Sequence, residues 1–182
     1  MTAVWEDALD HLRESPADGG VVDLIVRRPA LGEREEVEAA ELDPAVGLVG
    51  DSWSERPSKS SPDGRAHPDK QITVMNARMA ALLAGDEPER RALAGDQLYV
   101  DLDLSLRNLP AGTRLSFPSG AVIEVTDSPH TGCAKFSKRF GVDALRFVNS
   151  PVGKELRLRG LNARVITPGT VRRGDVVTVW RT

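Results

Sequence analysis

The chain has one cysteine in 182 residues, few aromatic residues and no long apolar run. A single thiol excludes an internal disulfide and a multi-cysteine zinc site, and it fits a reducing compartment. Aromatic residues make up only 4% of the sequence, so valine, leucine and alanine must build most of a core. No stretch approaches the roughly 18 apolar residues of a membrane helix. Met1–Glu14 carries Glu6, Asp7, Asp10 and Glu14 where a signal peptide would need an apolar segment. These features predict a cytoplasmic protein that does not enter a membrane. Neither charge sign dominates: 24 basic residues face 27 acidic ones, for a net charge of −3. A generic nucleic-acid or anionic-membrane surface is therefore not expected, and an anionic ligand would need a local basic pocket. The chain also lacks a Gly-x-Gly-x-x-Gly loop and the cysteines of an iron–sulfur cluster.

The length suits one well-buried domain with a short appendage. Val4, Ala8, Leu9 and Leu12 recur at helical spacing before Pro16, which predicts an N-terminal helix within residues 1–18 that packs on a domain spanning 19–182. Residues 21–27 and 35–42 read as a strand pair joined around Pro29 to Gly32. From Gly50 to Lys70 the chain is dense in Ser, Pro, Asp, Gly and Arg and nearly free of aliphatic residues, the composition of a long binding loop or lid. Ile72 to Met75 is expected to open a segment with Met75, Met79, Leu82 and Leu83 on one helical face, ending at Gly85. Residues 97–104 alternate like a half-buried strand. Arg114–Phe117 and Ala121–Val125 flank Pro118-Ser119-Gly120, a hairpin turn. Ala134–Phe140 and Val142–Val148 read as helical turns broken at Gly141, and Ser150-Pro151 as the start of another helix. Leu161–Ile166 and Val176–Trp180 return to strand through Arg172-Arg173-Gly174-Asp175. Strands dominate, so the expected fold is mainly β, barrel-like and mostly antiparallel, with peripheral α-helices.

The chemistry concentrates in Ser128-Pro129-His130-Thr131-Gly132-Cys133-Ala134-Lys135. A thiol reacts and binds metal as thiolate, and unpaired N–H groups at the start of a helix together with nearby cations favour that form. Thr131 or Cys133 is placed to cap the helix, and Lys135, Lys138 and Arg139 follow within two turns. His130 is placed either to orient or deprotonate the thiol or merely to satisfy a turn. A free cysteine is also a common buried hydrophobe, so a structural role stands beside the chemical one.

Several separated segments resemble the MOSC domain, the C-terminal domain of molybdenum cofactor sulfurases that also occurs as small stand-alone bacterial proteins. Gly47-Leu48-Val49-Gly50-Asp51 is similar to the family's Gly-x-x-Gly-Asp motif, and Gln71-Ile72-Thr73-Val74-Met75 to its Gln-led segment. Gly95-Asp96-Gln97-Leu98 stands where the family has Gly-Glu-Asn-Leu or similar. Pro110 to Leu115 resembles its hairpin opening, and Gly169-Thr170-Val171-Arg172-Arg173-Gly174-Asp175 its closing turn. Cys133 falls at the family's key cysteine. Two departures are visible: Gly132 stands where many members have proline, and Ser52-Trp53 follows Gly-Asp where many have a basic residue or histidine.

The resemblance implies a β-barrel that binds the molybdenum cofactor, molybdopterin. It makes Cys133 a molybdenum ligand or a persulfide carrier, and His130, three residues before it, is the candidate catalytic companion by its position. Arg56, His67, Lys70, Gln71, Gln97, Thr131 and Lys135 become the candidate cofactor contacts. A soft thiolate suits either task. The implied activities are a reductase component, which needs an external electron-transfer partner, or a handler of sulfurated cofactor. A non-redox sulfur carrier loaded by a sulfur donor protein is the alternative, and a cofactor-free binding module is the third. Pyridoxal phosphate belongs to the desulfurase domain of the fused sulfurases and is not expected in this chain.

Overall fold

The computed structural model describes residues 3–181. Its strands are β1 (Gly20–Arg27), β2 (Glu35–Glu36), β3 (Ala39–Asp43), β4 (Gly47–Leu48), β5 (Ile72–Asn76), β6 (Leu98–Asp101), β7 (Arg114–Ser116), β8 (Val122–Val125), β9 (Leu161–Thr167), β10 (Gly169–Arg172) and β11 (Val176–Trp180). Its α-helices are α1 (Ala3–Arg13), α2 (Ala77–Ala84), α3 (Pro88–Ala92), α4 (Ala134–Phe140), α5 (Val142–Val148) and α6 (Pro151–Glu155). The strand order β11-β7-β8-β9-β5-β6-β1 closes on itself where β1 pairs with β11. Every pair in the ring is antiparallel except β5 with β6, so the molecule is a closed, mixed β-barrel with helices outside it. Closure removes the exposed strand edges that an open sheet would leave.

Two apolar cores follow from this closure. Val22, Ile25, Ile72, Val74, Leu98, Val100, Leu115, Ile123, Val165 and Val177 fill the barrel. Leu24, Val26, Met75, Met79, Tyr99, Phe136, Phe147 and Val148 lie between the barrel wall and the helices. Strands β1, β5 and β6 are therefore buried on both faces, and neighbouring residues on one strand belong to different cores. Helix α1 joins the outer core through Leu12 and through Trp5, whose ring stacks on Phe147 at 4.9 Å.

Burial on both faces explains one departure from the sequence expectation. Ile72–Met75 is strand, and the helix begins only at Ala77. A strand buried on both sides reads as a continuous apolar run, and the Met75–Met79 spacing then mimics a helical repeat. Asn76 makes the junction: its Oδ1 accepts from Met79 N at 3.0 Å, and its Nδ2 donates to the Leu102 carbonyl at 2.9 Å.

The pair expected over 21–27 and 35–42 is only partly formed. Val37 N still donates to Ile25 O, after which the chain leaves β1. Strand β3 then pairs with β10 and β4 in a separate three-stranded sheet. Between β4 and β5, the segment 50–70 runs as a loop with two 3-10 turns, Trp53–Glu55 and Pro68–Lys70. The hairpin β7–β8, the helices α4 to α6 and the final strand β11 lie where the sequence places them.

Candidate functional site

The site forms at one end of the barrel, where the end of β1, the residues before β5 and β6, and the segment from β8 to α4 converge. Its centre is Asp96, which is fully buried. Asp96 Oδ1 meets His130 Nε2 at 2.8 Å, and Oδ2 accepts from Arg159 Nη1 at 2.6 Å. Arg159 also donates to the Ala94 carbonyl at 3.0 Å and lies over the Phe136 ring at 5.3 Å. Burial alone would raise the Asp96 pKa, but Arg159 and His130 outweigh it and hold the carboxyl below its ordinary value. An ionised Asp96 assigns the proton to His130 Nε2 and leaves Nδ1 as an acceptor. Burial, then the charge of Arg159, keeps His130 below its ordinary pKa, so the imidazole is neutral near pH 7.

A second buried ion pair anchors the loop. Asp51 accepts from the Arg28 backbone N–H at 2.9 Å, from its Nε at 2.8 Å and from its Nη2 at 2.9 Å. It also accepts from Trp53 N at 2.9 Å. Asp51 is therefore a brace that joins the end of β1 to the start of the long loop.

Cys133 is exposed, and α4 begins directly after it. Partial burial raises its pKa, but the amides of Phe136 and Lys135 and the charges of Arg159 and Lys135 more than reverse this, leaving the thiol more acidic than an ordinary cysteine. No hydrogen bond joins His130 to Cys133; His130 Nε2 is engaged by Asp96. The preceding segment is held rigidly. Asn149 pairs with Gly132 through both its N–H, at 2.9 Å, and its carbonyl, at 3.1 Å. Asn162 Nδ2 donates to the carbonyls of Ser128 and Pro129.

Two cavities meet at Pro129, His130 and Thr131. One, of about 340 Å³, is lined by Arg28, Arg56, Lys70, Thr73 and Asn162. The other, of about 390 Å³, has apolar walls from Leu106, Val148 and Leu161 with Asp127 and Lys154 among its polar groups. Arg28 is matched by Asp51, but the other two cations of the first cavity, Arg56 and Lys70, form no ion pair among the described residues. Arg56 donates only to Ser52 Oγ, and Lys70 to Ser60 Oγ. Arg34 feels the charges of Arg139, Arg28 and Arg56, which together with burial lower its pKa. The Nε atoms of Arg34 and Arg159 are buried without a partner.

The candidate residues separate into two groups. Arg56, Lys70, His130 and Thr131 line the first cavity, while Lys135 acts on Cys133 from α4. His67 Nδ1 accepts from Asp69 N at 3.2 Å and caps the turn before β5. Gln71 accepts from Val165 N and donates to the Pro44 carbonyl. Gln97 Oε1 accepts from the N–H and hydroxyl of Thr73. The amides of both glutamines are thus spent on bracing the barrel. Arg28, Arg34 and Arg159 carried no sequence signal: arginines are frequent here, and only the fold shows which of them turn inward.

The model of the MOSC domain family matches residues 63–178. The chain belongs to the MOSC domain family. Solved structures agree on the fold. YuaD from Bacillus subtilis is 19% identical with a TM-score of 0.66, the match covering 88% of this chain and 94% of that one. YiiM from Escherichia coli is 20% identical with a TM-score of 0.56, covering 89% and 70%. YiiM from Geobacillus stearothermophilus is 13% identical with a TM-score of 0.53, covering 90% and 74%. No curated protein matches by sequence. Among the described residues, no helix is long and apolar enough to cross a membrane.

MOSC domains are related to the molybdenum cofactor, a group with a phosphate, a planar heterocyclic body and a chelated metal. The residues present fit such a group: Arg56 and Lys70, without carboxylate partners, for the phosphate, an adjoining apolar-walled cavity for the body, and an exposed acidic thiol for the metal. Among the described residues no group of three or more His, Cys, Asp or Glu is placed to hold a metal ion.

The glycine before the cysteine of this MOSC domain is explained by packing. A Cβ on Gly132 would lie 2.7 Å from Leu145 Cδ1 and 3.0 Å from Val148 Cγ2, and its N–H is donated to Asn149. Gly132→Pro, which restores the residue common in the family, is expected to cost about 3 kcal/mol through the clash and the lost donor. Denaturant unfolding measures it, and an unchanged midpoint would refute the packing account.

Proposed function

We propose that this protein binds the molybdenum cofactor through the Cys133 thiolate and serves as the cofactor-bearing component of a reductase. The observation that carries this reading is an exposed, acidified thiol two residues after Thr131, which lines a cavity where Arg56 and Lys70 lack carboxylate partners, in a chain whose net charge is −3. When bound, the group supplies a redox-active metal. The chain's own residues do the rest. Arg56 and Lys70 bind the anionic end, with Arg34 adding positive potential. Asn149 and Asn162 hold the Cys133 segment in place. His130, its Nε2–H fixed on Asp96, offers Nδ1 as a place to hold a proton beside the thiolate. Arg159 stabilises the thiolate charge.

Electrons must come from outside, because the sequence carries no motif for flavin, haem or an iron–sulfur cluster. The lone thiol fits a reducing cytoplasm. A sulfur carrier, with Cys133 receiving sulfane sulfur from a donor protein, is the second reading. The exposure of the thiol favours it, but the cation-lined cavity has no part in it.

Elemental mass spectrometry on protein expressed in a cofactor-producing host tests the proposal. Near-stoichiometric molybdenum is expected, and background metal would overturn it and turn attention to persulfide on Cys133. Arg56→Ala combined with Lys70→Ala should lower cofactor retention at least tenfold, since each charge-assisted contact contributes about 1.5–3 kcal/mol. Full retention in the double variant would remove these two residues from the site.

A further inference from the structure

The five lysines of the chain are Lys59, Lys70, Lys135, Lys138 and Lys154, and four of them either follow Cys133 on α4 or line a cavity that His130 also lines. Lys59 and Lys70 are on the long loop, where Lys70 lines the basic cavity and reaches Ser60 at 3.1 Å. Lys135 and Lys138 are on α4, directly after Cys133. Lys154 is on α6 and lines the second cavity. None of them forms an ion pair among the described residues.

The contrast with the other end of the barrel is sharp. A wider groove of about 740 Å³ there is lined by Arg78, Arg91 and Arg173. Each of those arginines is matched by an acid: Asp101, Asp23 and Glu38. Around Cys133, by comparison, Asp51, Asp63, Asp69 and Asp143 are taken up by arginines. Glu55, Asp127 and Glu155, on or beside the same segments, form no ion pair among the described residues.

We infer that this lysine rim docks an acidic electron-carrier protein beside Cys133. The inference rests on the reductase reading above. Unpaired charges around a reactive group steer a complementary surface toward it and raise the association rate. Lysine suits a partner that must leave after each visit: its ammonium stays strongly hydrated, and lysine is depleted in the cores of stable interfaces. Small, short-lived interfaces are the rule for redox encounters. A nucleic acid fits the rim less well. The chain as a whole is acidic, and the one aromatic among the large exposed side chains of the described residues, Trp180, sits on β11.

A strongly acidic flavodoxin is the probe, titrated into isotope-labelled protein at about 0.02 M and about 0.3 M salt. Amide shifts are expected on α4, α6 and the 50–70 loop at low salt, and they should fade at high salt. Lys59→Glu combined with Lys138→Glu should weaken binding at least tenfold and leave the molybdenum content at the wild-type level, since neither residue is assigned to the cofactor. Arg13→Glu on α1 should change neither quantity. The inference is overturned by unchanged affinity in the double variant, by shifts centred on the Arg78–Arg173 groove, or by a DNA duplex that binds the same rim as tightly. Docking is measured without metal, so absent molybdenum would defeat the reductase reading while flavodoxin binding to the rim still registered.

Discussion

Replacing Cys133 by serine is expected to reduce bound molybdenum from near one per chain to background while changing unfolding stability by about 1 kcal/mol or less. The two halves of this expectation have separate causes. The thiol is exposed, so a hydroxyl of similar size disturbs little packing. A serine hydroxyl, however, ionises far less readily than the acidified thiol and is a harder donor, so the soft ligand is lost. Elemental analysis and denaturant unfolding on the same preparation read both quantities. Loss of folding with metal content unchanged would make Cys133 structural and end the ligand assignment.

The legible parts of the fold were those in which local chemistry decides the outcome. Pro118-Ser119-Gly120 specifies a turn wherever it occurs, and β7 and β8 flank it. Ser150 caps α6 as its sequence suggests, accepting from Gly153 N at 3.1 Å. Where tertiary burial overrides local pattern, the reading failed. The alternation over 97–104 predicts a strand with one buried face, but Tyr99 is buried as fully as Leu98 and Val100 because β6 has a core on each side. Strand β3 was expected to extend the pairing with β1, but it switches to β10, a partner about 130 residues away by the Glu41–Thr170 pairing. At the site, Cys133 and His130 stood out because rare or titratable residues draw notice. Asp96 was visible only as part of the Gly95-Asp96-Gln97-Leu98 motif, and its partner Arg159 not at all, since a charge becomes a buried charge only through the fold.

Asp96→Ala is expected to produce the largest loss of stability, about 3–5 kcal/mol, because it strands a buried arginine without its counter-ion. The Arg159 side chain is 9% exposed and that of Asp96 0%, so water cannot take over the lost contact. Arg159 Nε already lacks a partner, which leaves the guanidinium dependent on Asp96 and the Ala94 carbonyl. The same cluster sets the acid limit of the wild-type fold. His130 titrates below its ordinary 6.5 in the folded state, so between the folded value and 6.5 the unfolded chain binds more protons, and acidification favours unfolding. Asp96 lies below its ordinary 3.8, so the unfolded carboxylate also protonates first, and the sign is the same. Stability should therefore be full above about pH 7, decline as His130 becomes protonated in the unfolded chain below 6.5, and decline again below 3.8. Urea midpoints measured from pH 8 down to pH 3 read both limbs, and a flat profile between pH 7 and pH 4 would contradict the buried neutral imidazole. In Asp96→Ala the lower limb loses the Asp96 contribution, so the variant's deficit should shrink as the pH falls. A deficit that stays constant with pH would mean that the substitution acts through packing rather than through the ion pair.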